Sequence, residues 1–179
     1  MLYIVTALKS EAQAFVDYFK LKKNKLQNFV LYENQEIKLI VSNIGVDNAR
    51  AATQTLLNFY DITPEDIFIN VGVCAADHPY AIGELITLGG VVYKEKHYVF
   101  DKTKPSIVCC DAPCSEALYP LADMESFGFY DAVLHNPAIK NFYILKVVSD
   151  HFEPESLSKD GVKSLLFQQI KTIMEILKD

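Results

Sequence analysis

The sequence predicts an α/β protein in which a central mixed β-sheet lies between two layers of helices, a three-layer αβα sandwich. Short apolar runs of strand length alternate along the chain with segments whose apolar residues recur at helical spacing. The apolar runs contain few polar residues, which is typical of strands buried on both faces of a sheet. With 179 residues the chain is long enough for one domain, and we expect residues 1–179 to form it.

The N-terminal half is predicted to contain four strands and two helices. The strands are expected at Leu2–Thr6, Phe29–Tyr32, Ile37–Val41 and Ile67–Val73. The first helix places Ala12, Phe15, Val16 and Phe19 on one face and has Ser10 as its expected cap, and the second is expected over Val46–Tyr60. The lysine-rich residues 22–27 are expected to form a polar turn, and residues 33–36 the turn of a hairpin.

The C-terminal half is predicted to hold three strands and two helices. The strands are expected at Gly83–Tyr93, Ser106–Cys109 and Phe142–Val148, and Gly89-Gly90 in the first of them suits a bulge or bend. A helix is expected over Met124–His135. The final helix is the clearest, with one apolar face formed by Val162, Leu165, Leu166, Ile170, Ile173 and Leu177.

Charge and hydropathy exclude two classes of partner. The net charge of -6 argues against nucleic acid, because binding a phosphate backbone depends mostly on cations. No apolar run approaches the length that spans a bilayer, and the first residues lack the pattern of a secretory signal. We therefore expect a cytoplasmic protein that binds neither nucleic acid nor membrane.

The four cysteines raise the alternative of a metal cluster. Cys109, Cys110 and Cys114 lie close together and Cys74 lies far from them, a spacing that matches no established zinc pattern. Reduced thiols that pack as small hydrophobic groups are the simpler interpretation. We expect neither a metal nor an organic cofactor.

Three carboxylates stand where open α/β sheets usually bind ligands, just after a buried strand or at the start of a helix. Glu11 follows the first strand, Asp150 follows the strand that begins at Phe142, and Glu125 opens a helix. Taken singly, each has a structural alternative, because an acid at a helix start interacts well with the helix dipole and an Asp can cap a turn. Their order along the chain is more informative.

Six short segments, taken together and in order, resemble the nucleoside phosphorylase and nucleosidase superfamily. The likeness is greatest to its methylthioadenosine/S-adenosylhomocysteine nucleosidase branch and extends from the first strand to the last helix. The segments are ALKSE at 7–11, SNIG at 42–45, INVG at 69–72, IGELI at 82–86, DMES at 123–126 and VVSD at 147–150.

The resemblance implies a role for each carboxylate. Asp150 would protonate or hydrogen-bond purine N7, Glu125 would bind the ribose hydroxyls with Met124 packed on the sugar, and Glu11 would activate water. The same motifs imply that Ser149, Ile44, Val73 and Cys74 contact the substrate, a small nucleoside. These roles suit the reaction, because the departing base needs a proton and the oxocarbenium-like sugar needs negative charge nearby. By analogy we also expect a homo-oligomer, a dimer or larger.

Hydrolysis is favoured over phosphorolysis by the scarcity of arginine. Phosphorylases of this superfamily grip phosphate with several arginines, whereas Arg50 is the only one in this chain. The expected reaction is therefore hydrolysis of the N-glycosidic bond of a purine nucleoside or 5′-thio-nucleoside. A purine nucleoside phosphorylase is the alternative.

Departures from the family pattern keep a further alternative open. The hydroxyl that usually follows Gly72 is absent, Lys146 stands where arginine is common, and the stretch from Tyr93 to Asp123 is short. We expect residues 106–110 to form one wall of the base pocket, with Phe127 or Phe152 as an aromatic face. A degenerate homologue that binds nucleosides without cleaving them would also fit, and an unrelated α/β binding protein is the remaining alternative.

Overall fold

The structure, a computed structural model, describes residues 1–114 and 119–178. Eleven strands and four α-helices are formed within these residues. The strands are β1 Leu2–Thr6, β2 Lys22–Leu26, β3 Phe29–Glu33, β4 Ile37–Val41, β5 Ile67–Ala76, β6 Leu85–Thr87, β7 Gly90–Tyr93, β8 Lys96–Val99, β9 Ser106–Cys109, β10 Leu121–Asp123 and β11 Asn141–Asp150. The helices are α1 Lys9–Phe19, α2 Val46–Phe59, α3 Ser126–Leu134 and α4 Lys159–Ile176, with a short 3₁₀ helix at Pro154–Ser156.

All the strands join one mixed sheet centred on the ten-residue strand β5. Along one edge β5 pairs in parallel with β1 and then antiparallel with β10, and along its other edge it pairs in parallel with β11. The main path through the sheet runs β2-β3-β4-β1-β5-β10-β9-β7-β8. The parallel strands β1, β5 and β11 bring their carboxyl ends together, which fixes where the loops that follow them meet.

Both faces of the central strands are buried against helices. In β1, Tyr3 and Val5 belong to one core cluster and Leu2 and Ile4 to the other, as strand alternation requires. The first cluster packs under α2 and α3, and the second under α1 and α4. The predicted three-layer arrangement with a mixed central sheet is thus confirmed.

The polar turn predicted at residues 22–27 is wrong, because β2 forms there and pairs antiparallel with β3. Four of its five residues are exposed, so this edge strand lacks the apolar alternation by which strands are recognised. Lysines suit such a position, since charge on an edge strand discourages pairing with another molecule. The expected cap Ser10 is also wrong, since α1 begins at Lys9.

The long strand predicted at Gly83–Tyr93 is in fact two strands. β6 pairs with β11, and the chain then crosses at Gly89 to β7, which pairs with β8 and β9. A methyl group on Gly89 would lie 2.0 Å from the carbonyl oxygen of Asp101, so the crossing depends on glycine. No helix in the described parts of the chain is long and apolar enough to cross a membrane.

Candidate active site

A cavity of about 200 Å³ opens where the loops after the central strands meet. All eight residues singled out from the sequence line it: Glu11, Ile44, Val73, Cys74, Met124, Glu125, Ser149 and Asp150. They come from five separate segments: four lie in or after the parallel strands β1, β4, β5 and β11, and the fifth follows β10, which is antiparallel to β5. The cavity is also lined by Ala7, Leu8, Ala75, Pro113, Cys114, Ala122, Asp123 and Leu157.

The Glu11 carboxylate is held by backbone amides at the base of this cavity. Its Oε2 accepts hydrogen bonds from the N–H groups of Ala7 at 2.9 Å and Leu8 at 2.8 Å. Its Oε1 accepts one from the N–H of Val73 at 3.0 Å. Glu11, in the first turn of α1, therefore both caps the start of this helix, as the structural alternative proposed, and faces the cavity.

Glycine at position 72 makes room for this carboxylate. A Cβ on Gly72 would lie 2.6 Å from Glu11 Oε1, closer than side chains pack. Burial raises the pKa of Glu11, although the amides of Leu8 and Val73 and the Lys146 ammonium oppose the shift. A carboxylate with a raised pKa is a stronger base than a free glutamate, which is a property required of a general base.

Glu125 is the residue before α3 and lies over the start of α2. Its Oε1 accepts a hydrogen bond from the N–H of Gly45 at 2.9 Å. Gly45 has a φ of 108°, a conformation that favours glycine. Burial, together with the nearby Asp123 carboxylate, raises the pKa of Glu125 to about 7 against the opposing effect of Lys146.

Asp150 ends β11 and is buried beside Ser149. Its Oδ1 accepts a hydrogen bond from the N–H of Glu153 at 2.9 Å, so it does cap a turn. The Ser149 hydroxyl lies 2.7 Å from Asp150 Oδ2 and 3.1 Å from the carbonyl oxygen of Cys74, and its one proton can be donated to either. Asp150 thus combines a structural contact with a place on the cavity wall.

A buried ion pair joins Asp123, on the cavity wall, to Lys146, which does not line the cavity. The Lys146 ammonium is 2.8 Å from Asp123 Oδ2, and both side chains are 1% exposed. The sequence marks Lys146 only as a lysine where arginine is common, and Asp123 only as the first residue of the DMES segment. An acid two residues before Glu125 is the only signal in the sequence, and it does not reveal the pairing because Lys146 lies on a different strand.

The single arginine lies away from this cavity. Arg50 on α2 donates from Nε to Asp131 of α3 at 2.7 Å and from Nη1 to Asp47 at 2.7 Å. Its guanidinium also lies over the ring of Phe127. The guanidinium is therefore engaged in joining two helices, and does not present its fork to the cavity.

The expected wall and aromatic face of the base pocket are wrong. The unpredicted strand β10 lies between β9 and β5, so Ala122 and Asp123 line the cavity where residues 106–110 were expected. Phe127 stacks on Tyr93 with ring centroids 4.2 Å apart and does not line the cavity. Phe152 is buried, with 4% of its surface exposed, and does not line the cavity either. Pro113, Cys114 and Leu157 form part of the wall instead, and the sequence marks only Cys114 among them, as one of the four cysteines.

His, Cys, Asp and Glu side chains are spread over the described ranges, residues 1–114 and 119–178. No group of three or more His, Cys, Asp or Glu side chains is arranged there to hold a metal ion. Burial raises the pKa of Cys74 to about 12, and it also raises the pKa of Cys109. These two thiols therefore stay protonated near neutral pH.

Solved structures of nucleosidases are similar to this chain. A methylthioadenosine/S-adenosylhomocysteine nucleosidase from S. pneumoniae, solved with the transition-state inhibitor MT-ImmA, aligns with a TM-score of 0.81 at 13% identity over 99% of this chain and 98% of its own. The Helicobacter pylori nucleosidase with butyl-thio-DADMe-Immucillin-A has a TM-score of 0.74 at 16% identity, covering 98% of each chain.

Futalosine hydrolase of Helicobacter pylori is also similar, with a TM-score of 0.76 at 14% identity over 98% of this chain and 97% of its own. No protein-family model matches the chain, and no curated protein is significantly similar to it in sequence. The likeness confirms the predicted αβα fold, which these solved hydrolases share. At these identities it shows the fold alone.

Proposed function

We propose that this chain is a nucleosidase that hydrolyses the N-glycosidic bond of a purine nucleoside or 5′-thio-nucleoside. The observation that carries the proposal is the convergence of Glu11, Glu125 and Asp150 on one cavity, from three distant segments. Hydrolysis of such a bond needs an acid that protonates the departing nucleobase, a group that binds the sugar, and a general base that takes a proton from water. The three carboxylates supply one group for each need.

Asp150 is assigned to the purine. With Ser149 donating to one of its oxygens, the carboxyl group can share a proton with N7 as negative charge develops on the departing base. Glu125, with Met124 beside it on the wall, is assigned to the ribose hydroxyls, and the oxygen not bonded to Gly45 is available to accept from them.

Glu11 is assigned to water. Its Oε2 already accepts from two amides and its Oε1 from one, so Oε1 retains a lone pair for a further donor. A water held there would transfer a proton to Oε1 as it attacks the anomeric carbon.

The charge around the cavity supports water as the nucleophile. Among the residues described here, Glu11, Asp123, Glu125 and Asp150 line the wall, with the Lys146 ammonium beneath them. An excess of carboxyl groups stabilises a cationic sugar and disfavours a phosphate dianion. The engaged guanidinium of Arg50 points to the same choice.

The test is release of free base from a panel of nucleosides, with and without phosphate. Methylthioadenosine, S-adenosylhomocysteine, futalosine, adenosine and inosine cover the substrates of the similar structures and simpler purines. Release without phosphate supports the proposal, and release that requires phosphate replaces it with phosphorolysis. Binding without any cleavage would make the chain a nucleoside-binding homologue.

Nucleoside binding is expected to strengthen as the pH rises through about 7. Glu125 accepts hydrogen bonds from ribose best when it is ionised, and a carboxyl group with a raised pKa is protonated below that pKa. Affinity for a non-hydrolysed nucleoside analogue should therefore fall about tenfold for each pH unit below it. Calorimetric titration on both sides of neutrality measures this, and Glu125→Gln should abolish the dependence. A wild-type affinity that does not change with pH would contradict the role given to Glu125.

A further inference from the structure

The proposed reaction leaves Asp123 and Lys146 without a part, although they form a buried ion pair beside the reacting groups. Lys146 stands opposite Gly72 in the register of β11 on β5, so its side chain lies next to the space that the Glu11 carboxylate occupies. Asp123 ends β10 two residues before Glu125. A buried pair costs desolvation on both sides, so its presence at this place calls for an explanation.

Asp123 has a second set of contacts, which orients the start of α3. Its Oδ2 accepts from the N–H of Ser126 at 2.9 Å, and its Oδ1 accepts from the Ser126 hydroxyl at 2.6 Å. The carboxylate that holds Lys146 thus also caps the helix that begins directly after Glu125. Asp123 therefore couples the position of the Glu125 backbone to the buried ammonium.

We propose that Asp123 and Lys146 are positioning residues that set the charge carried by Glu125 and Glu11. Neither side chain needs to touch the substrate for this. The consequence for turnover rests on the proposed function, whereas the effect on the two glutamates does not.

The electrostatic surroundings of both glutamates support the inference. Around Glu125 lie Asp123 and Glu11, which favour its neutral form, and Lys146 and the Gly45 N–H, which favour its ionised form. Around Glu11, Lys146 and three backbone amides favour ionisation against the effect of burial. The buried thiols of Cys74 and Cys109 also face the ion pair, and they are neutral because burial raises their pKa.

Lys146 keeps its charge in this environment. Burial alone would lower its pKa, but Asp123, Glu125 and Glu11 raise it above the ordinary lysine value. Asp123 and Lys146 then act on Glu125 in opposite senses, and single substitutions at the two positions should have opposite effects. Loss of packing or of helix capping would not produce opposite signs.

The experiment measures the ionisation of Glu125 directly in Asp123→Asn and Lys146→Met. Protein labelled with ¹³C at the glutamate carboxyl groups is titrated by NMR without substrate, and the Glu125 resonance is identified by its loss in Glu125→Gln. Asp123→Asn removes a negative neighbour, so the Glu125 midpoint should fall by about one pH unit. Lys146→Met removes the positive neighbour, so the midpoint should rise by about the same amount.

Two further variants guard against a misfolded Lys146→Met protein, which would retain an unpaired buried acid. The double variant Asp123→Asn/Lys146→Met removes both charges and should return the midpoint towards the native one. Lys146→Arg keeps the charge and should also keep the native midpoint. The matched control is the ion pair Asp17–Lys163, outside the cavity, whose Asp17→Asn and Lys163→Met variants should leave Glu125 unchanged.

Opposite shifts in the two single variants support the positioning pair, and the pH profile of base release should move with them. Midpoints that stay fixed, or that move in the same direction, overturn it. If the NMR shifts occur but no nucleoside is cleaved at any pH, the proposed function fails while the positioning pair stands.

Discussion

An Asp150→Asn protein is expected to release base about 100 to 10,000 times more slowly than the native protein while it still binds nucleoside. Asparagine cannot share a proton with purine N7 as a carboxyl group can. The departing base would then carry its negative charge without a proton, which raises the barrier to bond cleavage. The affinity should change little, because the cavity keeps its shape.

The hydrogen bonds around Asp150 make this substitution well suited to the test. An asparagine oxygen can accept from the Glu153 N–H, as Oδ1 does now. Its amide nitrogen would then face the Ser149 oxygen and donate to it, and the Ser149 hydroxyl can turn to the carbonyl of Cys74. No buried polar group is left without a partner, so the fold should be unaffected.

The rate is measured in a single turnover with excess protein, and binding is measured by calorimetry on the same preparations. Asp101→Asn is the control, since Asp101 interacts with Thr103 and Lys104 outside the cavity. Native rates in Asp150→Asn would remove this residue from the reaction. Loss of binding together with the rate would make Asp150 a ligand for the base without a role in catalysis.

Sequence reasoning located the central strands because burial on both faces leaves an unmistakable pattern. β1, β4 and β9 have the predicted bounds, and β5 and β11 lie where the apolar runs are. The long helix α4 was predicted from its apolar face, because the residues that pack on the sheet recur at helical spacing. These elements decide the layers, so the fold class could be predicted from them.

The strands that were missed are short or at an edge. β8 has three exposed residues of four, and β10 has only three residues, so neither shows a periodic pattern. These strands form because the folded chain places other strands beside them with which they can pair. The missed strand β10 then displaced the expected base-pocket wall, which shows how a small error in topology becomes an error in the site.

The cavity itself could be predicted from motif order, but its internal contacts could not. The carboxylates lie in segments that follow buried strands, a relation visible in the sequence. The fit of Glu11 against Gly72 joins residues 61 positions apart, and the pairing of Lys146 with Asp123 joins two strands that are not neighbours in the sheet. Such contacts depend on register and side-chain direction, which only the folded chain supplies.

Glu11→Gln is expected to slow hydrolysis about 100 to 10,000 times as well, because it removes the base that takes a proton from water. Unlike Asp150→Asn, this change should also lower stability. Backbone N–H groups of Ala7, Leu8 and Val73 bond to both carboxylate oxygens, so the amide nitrogen of a glutamine must face at least one of them. A buried donor left unsatisfied costs about 1–3 kcal/mol, which urea unfolding can measure.

Gly72→Ala separates the chemical effect from the loss of hydrogen bonds, because it keeps the Glu11 carboxylate but moves it. The new methyl group would lie 2.6 Å from Oε1, the oxygen assigned to water, so the carboxylate must shift away from the Val73 amide. A displacement of this size in a reacting group is expected to reduce the rate by about 100-fold. Glu33→Gln, on β3 and bonded to Asn24 and Lys38, is the control for both variants. If Gly72→Ala and Glu11→Gln retain the native rate, water is activated elsewhere, and the preference for hydrolysis then rests on the charge of the cavity and the engaged arginine.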